Sequence, residues 1–341
     1  MSGAAPGRAP RPGPGDLREF RRGAEWALAV ATALELGIVD AMAAGPAGAD
    51  ALAARLGLAP RGVAVLLGAL EGAGVARRDP DGWRLTGTGR AHLADRTCPE
   101  FEGDSLRHWL RSVRRWAGEL ERVVRLGREA AGCADGPGAG APEDDGLAAF
   151  MAAMANRDPA TVAGAADAIR AAAPGARTLL DVGGGPGAYA RALVARGFEV
   201  TLLDRPEVVE YVGGAYGLAD VAGLSLAAGD FLEELPRGPF DVILLANVTH
   251  IYGPATNEAL VARAAARLAP GGLLAVLDFV RDVSGFAALF AITMLLNTEA
   301  GGTYGLDEYA AWMEAAGLER VRVQSLDPDR QLVLARRPEA E

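Results

Sequence analysis

The sequence predicts an α/β protein: a mostly parallel sheet that holds a small ligand at its edge, preceded by a helical domain. Three observations carry this. Residues 178–194 read as an apolar strand, a glycine turn and a helix. After Arg177, apolar runs of strand length alternate with helical patterns. Before that point the apolar spacing is helical, interrupted by one small hairpin.

In chain order, residues 1–15 form a Gly/Pro/Arg tail expected to be disordered. Leu17, Phe20, Ala24, Ala27, Leu28, Ala31, Leu34 and Ile38 recur at helical spacing, predicting one long helix. Ala49–Gly57 is a short helix closed by glycine, and Pro60 opens a second, apolar at Val63, Leu66, Leu67 and Leu70. Asp79-Pro80-Asp81-Gly82 then turns a small hairpin. Two helices and a hairpin make a winged helix-turn-helix pattern, assigned here to residues 16–100. Such a motif can place a helix in the DNA major groove. Its second helix carries only Arg61 and Glu71 as charges, which favours a structural or dimerisation role. Residues 101–165 are expected to supply linker helices and a loop: a long amphipathic helix over 106–126, a Gly/Pro-rich stretch over 132–146, and a helix opening at Phe150.

The α/β domain is assigned to 166–337. Thr178–Val182 is its first strand, and Gly183, Gly184, Gly185 and Gly187 make the turn. Glycine allows a sharp turn and a close backbone approach to a ligand. The second strand ends at Asp204, about twenty residues on, where a carboxylate can accept ribose hydroxyls. Leu224–Ala228, Phe240–Ala246 and Leu273–Leu277 follow as strands, the last preceded by Pro270-Gly271-Gly272. Arg320–Ser325 and Gln331–Ala335 have no helix between them and so form an antiparallel hairpin at the sheet edge. Asp181, Asp204 and Asp230 thus close three strands, expected in register on the edge where α/β sheets bind ligands. Gly183-x-Gly185-x-x-Ala188 also fits a dinucleotide fingerprint, leaving NAD open at this point; Pro186-Gly187 and a histidine after the fourth strand lean against it.

Composition narrows the class. The chain has 341 residues, half of them hydrophobic, and a net charge of −10, which argues against a nucleic-acid partner. No apolar run reaches membrane-spanning length. Cys98 and Cys133 lack motif spacing and read as free thiols of a reducing cytoplasm. With histidine only at 92, 108 and 250, no metal site is expected.

Leu179-Leu180-Asp181-Val182-Gly183-Gly184-Gly185-Pro186-Gly187, Gly229-Asp230-Phe231, Asn247-Val248-Thr249-His250 and Leu268-Ala269-Pro270-Gly271-Gly272 together resemble the winged-helix O-methyltransferases that use S-adenosylmethionine. The family includes plant phenolic and bacterial natural-product enzymes, and the resemblance spans roughly residues 17–337. It implies a Rossmann-like sheet of seven strands with one antiparallel, and a homodimer joined through the N-terminal domain. By the same resemblance the backbone at Gly183 and Gly185 faces the methionine part of the cofactor. Asp204 takes the ribose hydroxyls, and Asp230 with Phe231 takes the adenine.

The resemblance also places the chemistry. His250 stands where the family has its catalytic histidine, and an imidazole, with an ordinary pKa of about 6.5, suits the removal of a phenol proton. Asp278 matches the first of two flanking acids and would orient the ring. The second acid falls at Thr303, with Glu299 out of register, and Ile251 replaces an acid common after the histidine. Met151, Met154, Phe290 and Met294 are implied to line a pocket for a small, flat, apolar acceptor. Carbon or nitrogen methylation, or retention of the cofactor for non-methylating chemistry, remains open from sequence. So does a small-molecule-gated DNA-binding regulator.

Overall fold

The computed structural model describes residues 17–128 and 146–339. The expected N-terminal tail, most of the Gly/Pro-rich stretch, and Cys133 lie outside the described residues. The chain divides into two compact units, one ending at Arg115 and the other beginning at Trp116.

The first unit opens with α1 (Leu17–Glu35) and α2 (Ile38–Ala44). The single helix expected to Ile38 is broken at Gly37, whose φ of 72° is left-handed and ends α1. Next come α3 (Ala49–Leu56), α4 (Pro60–Gly72), β1 (Ala76–Asp79), β2 (Gly82–Leu85) and α5 (Gly87–Leu93). This is the expected pair of helices and hairpin. Helix α4 buries Val63, Leu67 and Leu70 but leaves Val65 exposed, so it is amphipathic rather than enclosed. A side chain at Gly72 would meet the Trp26 ring at 2.7 Å, so glycine there lets α4 and α1 close on each other. In the hairpin Arg84 pairs with Asp79 at 2.6 Å, and Arg77 with the same acid at 3.4 Å. These arginines are therefore tied to an acid within their own hairpin. The long helix α6 (Gly103–Leu126) carries the chain across the unit boundary.

The second unit continues with α7 (Gly146–Ala155) and α8 (Pro159–Ala172), then β3 (Thr178–Val182), α9 (Ala188–Val194), β4 (Glu199–Asp204), α10 (Pro206–Ala215) and β5 (Leu224–Ala228). It ends with β6 (Phe240–Ala246), α11 (Pro254–Arg267), β7 (Leu268–Asp278), α12 (Ala287–Asn297), α13 (Leu306–Ala315), β8 (Glu319–Ser325) and β9 (Gln331–Arg336). The seven strands run in the order β5-β4-β3-β6-β7-β9-β8. In this sheet only β9 runs against the other six strands, inserted between β7 and the edge strand β8. The order reverses between β4-β3 and β6, so a crevice opens at the carboxyl ends of β3 and β6.

The apolar runs are buried on both faces. Leu179, Val242, Leu244, Ala275 and Leu277 pack with Ile169, Leu193 and Val212 from α8, α9 and α10. Leu180, Val182, Ile243, Leu245 and Val276 pack with Leu260, Ala264, Trp312 and Met313 from α11 and α13. Alternate residues of each strand thus feed opposite layers, which is why these strands read as continuous hydrophobic stretches.

Two expectations need correcting. The strand expected at Leu273–Leu277 begins at Leu268. Leu268 pairs with Phe240 and Leu273 with Val242, so Pro270-Gly271-Gly272 is an irregularity within the strand and not a loop before it. The three acids are also not in one register. Asp181 sits opposite Leu202, one residue inside the end of β3. Asp204 sits opposite Ala228, and Asp230 follows beyond β5.

Candidate active site

The glycine turn after β3 is shaped by steric need. Gly183 and Gly185 have φ of 69° and 50°, a region that L side chains avoid. A Cβ at Gly183 would lie 2.9 Å from Val248, whereas one at Gly185 would meet only the Met151 sulfur at 4.0 Å. Gly185 therefore presents open backbone, with Met151 of α7 facing it.

Two carboxylates stand beside that turn. Asp204 is buried; its Oδ2 accepts a hydrogen bond from the Gly185 N–H at 2.9 Å and its Oδ1 one from the Arg205 N–H at 2.8 Å. Burial nevertheless pushes its carboxyl above the ordinary carboxylate value. Asp181 is almost completely buried, and neither of its oxygens has a hydrogen-bond partner. Burial first, and the Asp204 charge second, push its carboxyl up to about 7. Orphaned buried acceptors of this kind are costly unless a donor arrives. Asp230 differs: it is exposed, and its Oδ1 accepts from the Leu232 N–H at 2.8 Å. Phe231 is buried and packs edge-on against Tyr252 at 5.9 Å.

A second cluster lies beyond β6. His250 falls in the short 3₁₀ turn Thr249–Ile251, and its Nδ1 is 2.8 Å from Oδ1 of Asp278, the last residue of β7. Asp278 Oδ1 also accepts from the Phe279 N–H at 2.9 Å. Its Oδ2 accepts from the Thr249 hydroxyl at 2.6 Å and the His250 N–H at 3.2 Å. Burial pushes the Asp278 carboxyl up, but the His250 charge and these hydrogen bonds outweigh it and hold the group below its ordinary value. Beyond them the Tyr309 hydroxyl lies 2.8 Å from Thr249 Oγ1, and Asn257 Nδ2 donates to the Thr249 carbonyl at 2.8 Å. The imidazole faces aromatic rings: Phe290 of α12 meets it edge-on at 4.9 Å, and Phe279 packs on Phe290 at 4.5 Å with the rings tilted by 43°.

The structure thus brings Asp181 to Asp204, Met151 to Gly185, His250 to Asp278 and Phe290 to His250. Met154 accepts a hydrogen bond from Arg157, and Met294 is buried in α12, with its carbonyl accepting from Thr298. Thr303 is buried and donates to the Ala287 carbonyl at 3.3 Å, so it braces α12; Glu299 is exposed. Thr249, Asn257, Tyr309, Phe279 and Arg157 were not singled out from sequence. Thr249 adjoins the histidine and could have been found there; Tyr309 comes from 60 residues away and carries no sequence signal.

An open glycine backbone, buried acceptors awaiting donors and a buried ring at the carboxyl edge of such a sheet suit an adenosine-type cofactor rich in hydroxyl and amino donors. A histidine–aspartate pair against aromatic rings lies on the same edge. Together they define a group-transfer enzyme of the methyltransferase class. The comparisons agree. The family model described as the O-methyltransferase domain matches residues 134–319, and the O-methyltransferase dimerisation domain matches residues 27–95. The chain belongs to the O-methyltransferase family, and its cofactor is S-adenosylmethionine. It is similar to the tetracenomycin polyketide synthesis 8-O-methyl transferase TcmO of Streptomyces glaucescens, with 28% identity over 96% of this chain and 97% of that one. It shares 28% identity with the 3-hydroxy-5-methyl-1-naphthoate 3-O-methyltransferase of Streptomyces sahachiroi, over 85% of each chain. Its fold matches human N-acetylserotonin methyltransferase, solved in complex with S-adenosylmethionine, at a TM-score of 0.80 and 23% identity over 97% and 99% of the two chains. The dimerisation-domain match supports a homodimer. Among the described residues no single helix is long and apolar enough to cross a membrane.

Proposed function

We propose that this protein methylates a hydroxyl, in the first instance a phenolic one, on a small apolar natural-product intermediate, with His250 as general base. The observation that carries this is the 2.8 Å contact between His250 Nδ1 and a buried Asp278, with the imidazole set against Phe290.

Asp278, held in its charged form, accepts a hydrogen bond from Nδ1–H and fixes that tautomer, which leaves Nε2 as the basic nitrogen. A phenol has a pKa of about 10, so removal of its proton as it attacks favours reaction at neutral pH. S-adenosylmethionine, when bound, supplies the electrophilic methyl group. Asp204 would hold the ribose hydroxyls, Asp230 and Phe231 the adenine, and the backbone at Gly183 and Gly185 the methionine end. Asp181, buried without a partner, would gain donors on binding. Phe290 and Phe279 form the aromatic wall against which an aromatic acceptor would lie, with Met151, Met154 and Met294 as adaptable lining. Most of the rate then comes from alignment of hydroxyl and methyl group, with the base adding to it. The two relatives act, by name, on a polyketide and a hydroxynaphthoate, and this chain's aromatic wall suits acceptors of that shape.

The test is incubation with methyl-labelled cofactor and a panel of hydroxylated aromatic compounds, read by mass spectrometry. Label on an acceptor oxygen is expected. Label on carbon or nitrogen, or consumption of acceptor without label, would replace this reading.

A further inference from the structure

Two guanidiniums, Arg330 against the aromatic wall and Arg157 against Met154, have too few acids among the described residues to match them. Arg157 follows α7. Its Nη2 donates to the Met154 thioether at 3.4 Å, and among the described residues no carboxylate lies within ion-pair distance of it. A thioether is a weak acceptor. Burial pulls the Arg157 guanidinium below its ordinary pKa, and the Arg330 charge acts the same way; Tyr189 and Asp278 act against them. Asp278 is already committed to His250, Thr249 and two backbone N–H groups. The Tyr189 hydroxyl is buried and has no hydrogen-bond partner.

Arg330, the residue before β9, lies with its Cζ 5.3 Å from the centre of the Phe279 ring. One of its nitrogens is 3.4 Å from Asp327, and its Nε is buried without a partner. Asp327 itself is shared among the Thr161 hydroxyl and the Asp329 and Arg330 N–H groups, each at 2.8 Å. Asp327 thus serves Arg330, and among the described residues no acid serves Arg157. The wall that begins with Phe290 at His250 runs through Phe279 to Arg330.

Arg157 is half-buried and has no acid partner among the described residues, so its guanidinium keeps donors for an anion. A guanidinium offers a planar fork of donors that matches a carboxylate. We infer that Arg157, with Arg330, is an anion subsite of the acceptor pocket, so that the acceptor is an aromatic acid with its hydroxyl at His250 and its carboxylate at Arg157. This rests on the reading of the His250 face as the acceptor site. The cofactor's methionine carboxylate is the same chemistry from a second source, and the experiment separates the two.

Hydroxylated benzoic and naphthoic acids and their methyl esters are titrated calorimetrically into the full-length enzyme, saturated with S-adenosylhomocysteine. At least one acid should bind ten or more times as tightly as its ester. Arg157→Met should erase that preference, Arg157→Lys should keep most of it, and Arg330→Met should reduce it in part. S-adenosylhomocysteine affinity, measured separately, should stay within twofold in all three variants. If no acid is preferred over its ester, the subsite assignment is wrong. If Arg157→Met weakens S-adenosylhomocysteine tenfold while the acid preference survives, the arginine serves the cofactor and the assignment again fails. Should Arg157→Met not fold, Arg157→Gln against Arg157→Lys gives the same comparison. Because binding needs no turnover, an Arg157-dependent acid that His250→Ala still methylates at the wild-type rate would remove the base and leave the subsite standing.

Discussion

Asp181→Asn isolates the one buried carboxylate that has no donor among the described residues. The wild-type carboxyl is held at about 7 against its ordinary 3.8. The folded state therefore keeps the proton longer than the unfolded chain does. Stability is greatest below the unfolded pKa, falls as pH rises, and levels off above the folded pKa. The span from 3.8 to about 7, at about 1.36 kcal/mol per pH unit, comes to about 4 kcal/mol. An asparagine cannot ionise, so it should escape this loss. Urea denaturation of the cofactor-free protein from pH 4 to 8 measures it. The stability difference between variant and wild type should move by about 4 kcal/mol in favour of the variant across that range. Donors brought by the cofactor should return Asp181 to its charged form, so wild-type affinity for S-adenosylhomocysteine should rise with pH through neutrality. The variant's affinity should be lower and flat. Parallel stability curves for the two proteins would refute the reasoning, because Asp181 would then ionise as freely folded as unfolded.

Gly183→Ala places a methyl group 2.9 Å from Val248 at a φ of 69°, and should cost roughly 1–3 kcal/mol of stability with a matching loss of cofactor affinity by calorimetry. Thr249→Val removes the 2.6 Å hydrogen bond to a charged, buried Asp278 and should cost about 1.5–3 kcal/mol in chemical denaturation. Asp278 is held below its ordinary value, so its contribution is present above the unfolded pKa and fades as pH falls through the folded one. Asp278→Asn should accordingly flatten the acid limb of the stability profile, and slow methyl transfer by less than loss of His250 does.

Much of the fold was legible because β3 and β6 are buried on both faces, and a strand so placed leaves an unbroken apolar run. The start of β7 was not, since Pro270-Gly271-Gly272 reads as a loop until its pairing with β6 shows the irregularity. The break at Gly37 was hidden because the helical spacing of apolar residues runs on past it to Ile38. His250 and Asp278 were visible through the motifs around them. Their support was not: Tyr309 and Asn257 reach Thr249 only after α11 and α13 pack on the sheet. Arg157 was equally hidden, since a half-buried arginine without an acid partner and a solvated one look alike in sequence.

The most direct test of the account is the single-turnover rate of methyl transfer to one identified phenolic acceptor, for wild type and His250→Ala, across pH. The variant should be slower by roughly 10²–10⁴-fold at neutral pH, the span of a general base. Its rate should recover toward wild type only as the phenol ionises unaided. Equal rates at neutral pH would contradict the account and leave alignment of the reactants as the whole of the catalysis.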